Sequence, residues 1–347
     1  MLTSLTVKDF RCLKDVSVPL TPLHVFIGPN DSGKSTILRA AHLIGEVASA
    51  STNGAWPFDR VRALFRFEER PTLQADVVDG RSLVMRHTGT GYEARVRPGG
   101  AVVAEFTQNG TSGARATGPD REVCAAIGPA TFVRLNASAL REPSELIPEG
   151  AEIAFQDTGA GLAGVYEAIL SRGDQSFHEI AARVRTLFPT IKRLWVPTTP
   201  EKKKELAIEL HDGVEVRSAD MSEGLLYYLA FEALACIQRP AVILVEEPEN
   251  GLHPARIAEV MKLLRGIAED KTRPAQVLIA THSPLVVNEA RPEEVTVVTR
   301  DVERGTQCTR MKDTPHFEER QKVYALGELW LSYADGRDET PLLRGLS

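Results

Sequence analysis

Three short runs of the chain are almost wholly apolar, and polar residues follow each of them at once. The runs cover residues 23–27, 241–245 and 277–280. Continuous apolar runs of this length are typical of strands that are buried on both faces of a parallel sheet. Such sheets bind their ligands beyond the carboxyl ends of the strands. The pattern therefore predicts an α/β fold in which the polar residues after the three runs lie at one edge of the sheet.

Apolar positions that alternate with polar ones predict antiparallel strands in the first third of the chain. Two such segments, 2–7 and 16–20, flank a bend at residues 9–11. The small and polar stretch 108–120 predicts a mobile loop. Shorter segments separated by glycine-rich turns predict an antiparallel meander within residues 63–106: 64–67, 73–78, 82–85, 92–96 and 102–106.

Apolar residues at helical spacing predict the helices. The first helix follows the run 23–27, where Ile37, Ala41 and Ile44 recur on one face. Another starts at Pro254, because proline is favoured in the first turn of a helix. Two strand-like runs, 294–299 and 306–311, come near the end of the chain. The remaining helices are predicted at 161–172, 175–188, 225–237 and 317–333.

The composition is that of an ordinary globular protein, with 43% hydrophobic and 25% charged residues among 347. The N-terminus lacks the apolar core of a signal peptide and no run is long enough to cross a bilayer, so a cytoplasmic protein is expected. The four cysteines show neither CxxC spacing nor histidine partners, which argues against disulfides and zinc. The formal charge of -6 argues against a wholly basic nucleic-acid coat, but not against a local basic patch.

The turn after the first apolar run matches the phosphate-binding pattern G-x-x-x-x-G-K-[ST]. A strand precedes it and a helix follows, although a chance match in a glycine-rich turn is the alternative. In this interpretation Gly28 and Gly33 let the backbone curl so that its N–H groups face phosphate oxygens. Lys34 binds the β- and γ-phosphates and Ser35 coordinates Mg²⁺, so the predicted cofactors are ATP and Mg²⁺. The matching residues are Gly28, Pro29, Asn30, Asp31, Ser32, Gly33, Lys34, Ser35 and Thr36.

Two carboxylates, Glu246 and Glu247, follow the second apolar run. An apolar strand that ends in two acids resembles a Walker B strand, in which the first acid holds magnesium, usually through water, and the second polarises the attacking water. The resemblance therefore implies that Glu246 serves the metal and Glu247 serves catalysis. The alternative is that both acids merely cap the following helix.

The segments LTVKDFRCLKDVSVPL and HVFIGPNDSGKSTIL resemble the opening of the RecF, SMC/Rad50 and OLD-like ATPases, and EEPENGLHP resembles their Walker B continuation. The resemblance implies a P-loop NTPase of the ABC-ATPase head type, with a mixed sheet, an antiparallel β meander and a helical signature lobe. It also implies that Arg11 lies near the nucleotide, where a solvated arginine at a strand end is the alternative. By resemblance, Asn250 and Gly251 form the D-loop, which couples two nucleotide sites. The group usually has aspartate in place of Glu246 and often glycine in place of Asp31.

Two further motifs resemble parts of ABC-type ATPases. Ser222, Glu223 and Gly224 resemble the signature motif, which acts on the nucleotide of a second copy, whereas a plain helix cap is the alternative. The motif THSP resembles the histidine switch, which implies that His282 hydrogen-bonds the γ-phosphate. The alternative for His282 is a structural histidine at a strand end.

The resemblance implies one ABC-type ATPase domain over residues 1–347. Within it, a nucleotide-binding lobe covers 1–120 and 238–347, and a mainly helical lobe covers 121–237. Because the signature in this group completes the site of another copy, ATP is expected to join two chains head to tail. The tail after THSP lacks the acidic motifs of the TOPRIM nuclease, and no long heptad run precedes the signature.

The sequence leaves three roles open for the ATPase. The first is a DNA-engaging head in anti-phage defence or repair, suggested by the resemblance and by arginines at 60, 62, 66 and 70, which a solvated strand face also explains. The second is a regulatory switch whose ATP-bound dimer controls a separate effector, such as a nuclease or toxin, without contacting DNA. The third, which fits least, is a transporter subunit, because DFRCLKD and GLHP match that class poorly. The expected partners are therefore a second copy, DNA or an effector protein, and no membrane.

Overall fold

The computed structural model describes residues 1–53, 70–89, 91–100, 102–107, 110–112, 116–154, 156–173, 175–237 and 239–334. By its internal contacts the chain divides into two compact units. The first unit consists of Met1–Phe132, Pro240–Glu247 and Ile267–Ser347, and the second of Val133–Arg239 and Pro248–Gly266. The lobe boundaries that the resemblance implies stay a prediction.

The strands, in chain order, are β1 Leu2–Phe10, β2 Leu13–Pro19, β3 Leu23–Ile27, β4 Thr72–Val77, β5 Ser82–His87, β6 Tyr92–Arg97, β7 Val102–Thr107, β8 Gly110–Ser112, β9 Ala130–Val133, β10 Ile191–Trp195, β11 Ala207–Leu210, β12 Glu215–Arg217, β13 Val242–Glu246, β14 Gln276–Thr281, β15 Val295–Asp301 and β16 Gly305–Arg310. The helices, in chain order, are α1 Lys34–Asn53, α2 Gly118–Ile127, α3 Ala137–Arg141, α4 Leu162–Ser171, α5 Ser176–Leu187, α6 Glu223–Cys236, α7 Pro254–Glu269, α8 Pro284–Asn288, α9 Phe317–Arg320 and α10 Leu326–Ala334.

The first unit contains a mixed sheet with the strand order β16-β15-β3-β14-β13-β9. Strands β13, β14, β3 and β15 run parallel to one another, and β16 is antiparallel to β15. Every residue of β3, β13 and β14 is buried, as expected for strands that are covered on both faces. The prediction of three buried parallel strands in an α/β fold is confirmed.

The first unit also contains an antiparallel sheet with the order β2-β1-β4-β5-β6-β7-β8. Its strands β1 and β2 pair across the predicted bend. Strands β4 to β7 confirm the predicted meander, whereas its first segment, 64–67, and the arginines at 60, 62 and 66 lie outside the described residues. Side chains from this sheet and from α1 share one apolar core, which includes Phe10, Ile37 and Met85.

Two predictions about secondary structure are wrong. The stretch 108–120 is not a single loop, because it contains β8 and the start of α2, which has Pro119 in its first turn. The helix predicted at 317–333 is two helices, α9 and α10. A new helix begins at Leu326. The Glu328 carboxylate accepts a hydrogen bond from the Ala325 N–H, 2.9 Å away, as is typical of a helix N-terminus.

The second unit combines helices α3 to α6 and most of α7 with a small antiparallel sheet in the order β10-β11-β12. The sequence predictions did not include this sheet, whose strands are only three to five residues long. Helix α6 is buried on nearly every side, including its one charged residue in the middle, Glu232. A buried carboxylate needs partners, because desolvation disfavours an isolated charge.

Glu232 finds these partners within the second unit. Arg183, on α5, donates to both carboxylate oxygens, from Nε at 2.8 Å to Oε1 and from Nη2 at 2.8 Å to Oε2. The hydroxyl of Tyr228, one turn earlier on α6, also donates to Oε1. The pair connects α5 to the helix that begins directly after Ser222.

Substituting Arg183 by alanine is expected to lower the free energy of unfolding by about 3 kcal/mol, because a buried carboxylate loses its counter-charge. This loss of stability is at the low end of the range for buried ion pairs because the Arg183 side chain is 42% exposed. Urea denaturation provides the measurement. Arg185→Ala, at an exposed position of the same helix, is the matched control and should change the unfolding free energy by less than about 0.5 kcal/mol. Equal losses in both variants would contradict a special role for the pair.

Candidate functional site

The loop between β3 and α1, the candidate phosphate loop, contains two residues with positive φ. Asp31 and Gly33 both have positive φ, at 63° and 111°. The positive φ of Asp31 is a left-handed conformation, which aspartate tolerates better than most residues do. Gly28 serves a different purpose from the one predicted, because its φ is not positive. A Cβ added to it would lie 2.1 Å from the carbonyl oxygen of Val298, so Gly28 permits close packing against β15.

The ammonium group of Lys34 lies inside this loop. Lys34 is buried, and its Nζ donates to the carbonyl oxygens of Gly28 at 2.8 Å and Pro29 at 2.7 Å. A phosphate group that binds here would accept the hydrogens that now point at these carbonyls. Ser35, the next residue, is exposed at the first turn of α1.

The acidic residues lie at the carboxyl edge of the same sheet. In the parallel register Ile27 pairs with Thr281, and Ala280 pairs with Glu246, so β3, β14 and β13 end side by side. Glu246 is buried as the last residue of β13. Glu247 follows with a φ of 47°, and its N–H donates to the Ala280 carbonyl at 2.8 Å. Non-glycine residues with positive φ cost energy and concentrate at functional sites, which makes Glu247 a candidate on backbone grounds as well.

His282 contacts Glu247 at this edge. Its Nδ1 lies 3.5 Å from the Glu247 Oε1, and the two side chains are about half exposed, at 50% and 41%. The turn that carries His282 is held by hydrogen bonds from the Ser283 N–H to the Thr281 hydroxyl and from the Leu285 N–H to the Ser283 hydroxyl. A hydrogen-bonded turn therefore presents a solvent-accessible imidazole, which differs from the buried surroundings of a structural histidine.

The donor set fits a magnesium ion. Mg²⁺ prefers oxygen ligands and is usually held by one or two protein groups together with phosphate oxygens and water. The Ser35 hydroxyl, in the first turn of α1, and the Glu246 carboxylate, at the end of β13, are both oxygen donors in this unit. Within the described residues there is no cluster of three or more His, Cys, Asp or Glu side chains that could hold a metal by itself.

Arg11 lines a cavity of about 600 Å³ beside the loop. Asn30, Asp31 and Ser32 form part of its wall, and Arg300 of β15 contributes to another part. The Arg11 guanidinium is stacked over the ring of the preceding phenylalanine, 5.5 Å from its centroid. The structure thus places Arg11 next to the phosphate loop, while its contact with a nucleotide stays a prediction.

The second unit contains the signature and D-loop candidates, and it brings them together. Ser222 occupies the N-cap position of α6, yet its side chain makes no capping hydrogen bond and is exposed. A Cβ added to Gly224 would lie 3.1 Å from the Gly251 carbonyl oxygen. Gly251 itself has a φ of 69°, and a Cβ there would overlap the ring of Tyr227 at 2.5 Å. The Ser222 side chain therefore does not cap its helix, which was the alternative interpretation of this residue.

The sequence analysis missed the residues with which β15 and β16 hold the phosphate loop. Thr306, at the start of β16, is fully buried, and its hydroxyl donates to the Ser32 carbonyl at 2.9 Å. Arg300 donates to the Asp31 carbonyl at 3.4 Å. A threonine and an arginine in a strand-like run carry no local signal of such contacts, which join residues about 270 positions apart.

Two family models match the chain. One, described as "AAA domain, putative AbiEii toxin, Type IV TA system", covers residues 126–288. The other, described as "AAA ATPase domain", covers residues 1–61. The first range contains the signature candidate, the acidic pair and THSP, and the second contains the candidate phosphate loop.

Two curated relatives match shorter parts. An OLD nuclease of Thermus scotoductus is 46% identical over 70 residues, which are 18% of this chain and 13% of the relative. The phosphonates import ATP-binding protein PhnC of Nitratidesulfovibrio vulgaris is 31% identical over 93 residues, which are 25% of this chain and 35% of the relative. The chain thus spans about an eighth of the first curated relative and about a third of the second.

Solved structures with a similar fold include heads of SMC proteins. The SmcHead bound to the C-winged helix domain of ScpA has a TM-score of 0.55 and 15% identity, and the match covers 89% of this chain and 97% of that one. The Smc head domain with an extended coiled coil, derived from Pyrococcus furiosus, has a TM-score of 0.52 and 15% identity, covering 95% and 99%. The predicted P-loop NTPase fold of the ABC-ATPase head type is confirmed. Among the described residues no helix is long and apolar enough to span a membrane.

Proposed function

We propose that this chain, an ATPase of the AAA and ABC type in the RecF, SMC and OLD group, binds ATP with Mg²⁺ and hydrolyses it between two copies of itself. One observation carries the proposal. The Lys34 loop, Glu247 and His282 follow strands that end side by side in one sheet, and Glu246 is the last residue of one of these strands. This is the edge at which parallel α/β sheets bind ligands.

Each group at this edge has a chemical role in hydrolysis. Backbone N–H groups of the loop and the Lys34 ammonium bind phosphate oxygens, aided by the N-terminus of α1. The Glu247 carboxylate orients a water molecule and accepts its proton as the water attacks the γ-phosphorus. His282, within 3.5 Å of Glu247, donates to a γ-phosphate oxygen. Ser35 and Glu246 would hold Mg²⁺, which neutralises charge on the phosphates when bound.

The signature turn supports a site that is shared between two chains. The Ser222 hydroxyl is exposed and does not cap its own helix, and the first turn of α6 offers N–H groups for an anion. Gly224 packs against the Gly251 carbonyl, which couples the signature turn to the D-loop candidate. We therefore place Ser222, Glu223 and Gly224 of one chain over the nucleotide on Lys34 of the other.

The test is an assay of phosphate release from ATP in the presence and absence of Mg²⁺. Lys34→Ala should lower turnover by about 100-fold or more, because a charged donor preorganised for the phosphates is lost. Lys271→Ala, an exposed lysine after α7, is the control and should leave turnover unchanged. No Mg²⁺-dependent phosphate release from the unaltered chain would contradict the proposal.

For the cellular role we propose a DNA-related process such as anti-phage defence or repair, in keeping with the similarity to an OLD nuclease. A regulatory switch for a separate effector is the second candidate, favoured by the toxin-system description of the matching family. A transporter subunit is the remote third, which rests on the short match to PhnC. The first two roles can be distinguished by capturing the ATP-bound Glu247→Gln chain. The captured material is then analysed for both nucleic acid and protein. Bound DNA supports the first role, and a bound protein without DNA supports the second.

A further inference from the structure

The phosphate loop is held from outside by the hairpin of β15 and β16. Val298 on β15 packs its carbonyl oxygen against Gly28, 2.1 Å from where a Cβ would lie. Arg300 donates to the Asp31 carbonyl, and Thr306 donates to the Ser32 carbonyl. The hairpin therefore contacts the loop at three successive points along its length.

Thr306 makes its contact through a hydroxyl group that is buried. Its side chain is fully buried, and its hydroxyl lies 2.9 Å from the Ser32 carbonyl oxygen. The same hydroxyl would lie 2.5 Å from a Cβ on Gly33, so Thr306 occupies the space that the glycine leaves open. A buried carbonyl that lost this donor would have to find another partner or shift the loop.

The Ser32 carbonyl belongs to the same peptide group as the Gly33 N–H, so the orientation of one fixes the orientation of the other. In a trans peptide the carbonyl and the following N–H point in opposite directions. A hydrogen bond that holds the Ser32 carbonyl towards Thr306 therefore turns the Gly33 N–H to the other side of the loop. Asp31, directly before Ser32, has a positive φ, and a strained non-glycine residue of this kind persists where surrounding contacts fix it. Gly33, directly after Ser32, adopts its positive φ without strain because it lacks a Cβ.

We propose that Thr306 is a positioning residue for nucleotide binding. Its hydroxyl fixes the Ser32–Gly33 peptide, so that the Gly33 N–H faces the phosphates. This inference rests on the proposed function, since it concerns the phosphates of the nucleotide that the loop binds. The role belongs to the hydroxyl and not to the bulk of the side chain.

The test compares two substitutions with a control on the same strand. Thr306→Val keeps the shape of the side chain and removes the hydroxyl, and it should weaken ATP and ADP binding about tenfold. Thr306→Ser keeps the hydroxyl and should bind both nucleotides within about twofold of the unaltered chain. Thr309→Val, at a buried position that pairs with Val297, should leave binding unchanged. Equilibrium titration with Mg-ATP and Mg-ADP gives the affinities, and urea denaturation shows that each variant is folded.

The outcomes separate this inference from the proposed function. ATP binding by Thr306→Val as tight as in the unaltered chain would overturn it. So would equal losses in Thr306→Val and Thr306→Ser, or an equal loss in Thr309→Val, because each would point to packing alone. If the unaltered chain binds ATP but does not hydrolyse it, the proposed function fails while the affinities still decide the role of Thr306. If the unaltered chain does not bind ATP, both fail.

Discussion

Replacing Glu247 with glutamine is expected to lower the rate of ATP hydrolysis by about 100-fold or more while leaving ATP binding intact. Glutamine has nearly the same shape as glutamate but cannot accept a proton from water. The backbone at this position should survive the change, because the Glu247 N–H retains its hydrogen bond to the Ala280 carbonyl. The variant should therefore bind ATP and stop before phosphate is released.

The same variant should accumulate dimers in the presence of ATP. If ATP holds two chains together and hydrolysis separates them, a chain that cannot hydrolyse ATP stays paired. Light scattering with and without Mg-ATP measures the mass, and phosphate release measures the rate. Glu318→Gln removes an exposed carboxylate on α9 and serves as the control, with unchanged rate and mass. Turnover of Glu247→Gln at the unaltered rate would show that another group activates the water.

The parts of the site that could be predicted from the sequence are those that depend on local pattern. A continuous apolar run followed by polar residues locates each of β3, β13 and β14, and parallel sheets align the ends of such strands. The phosphate loop is recognisable because glycine, lysine and serine stand at fixed spacing between a strand and a helix. The contact between Glu247 and His282 follows once β13 and β14 are neighbours in the sheet.

The parts that could not be predicted depend on contacts between distant segments. Gly28 was assigned to backbone curl, whereas its neighbour is the Val298 carbonyl, which no local pattern reveals. Thr306 and Arg300 support the loop across about 270 positions of sequence. The sheet of β10 to β12 escaped prediction since its strands are too short to show a clear alternation.

Replacing Ser222 with arginine is expected to abolish ATP hydrolysis while leaving the binding of ATP to a single chain unchanged. Ser222 is exposed, and its side chain does not cap α6, so the fold should tolerate a larger residue. In the shared site, arginine would both remove a hydroxyl donor and prevent the second chain from closing over the phosphates. Loss of one such donor alone costs about 100-fold in rate. Phosphate release and ATP titration measure the two effects, and hydrolysis at the unaltered rate would rule out the shared site.

Mixing two inactive variants distinguishes a shared site from damage within one chain. In a head-to-tail pair of Ser222→Arg with Lys34→Ala, one site has both defects. The other combines the intact Lys34 of the first chain with the intact Ser222 of the second. With independent sites and random pairing, an equal mixture should regain up to about a quarter of the unaltered rate, because half of the pairs are mixed and each has one complete site.

Mixing Ser222→Arg with itself at doubled concentration provides the control. If instead Ser222 acted on the nucleotide of its own chain, each chain would carry its own defect and mixing would restore nothing. Recovery of activity therefore requires that the signature of one copy meets the phosphate loop of the other.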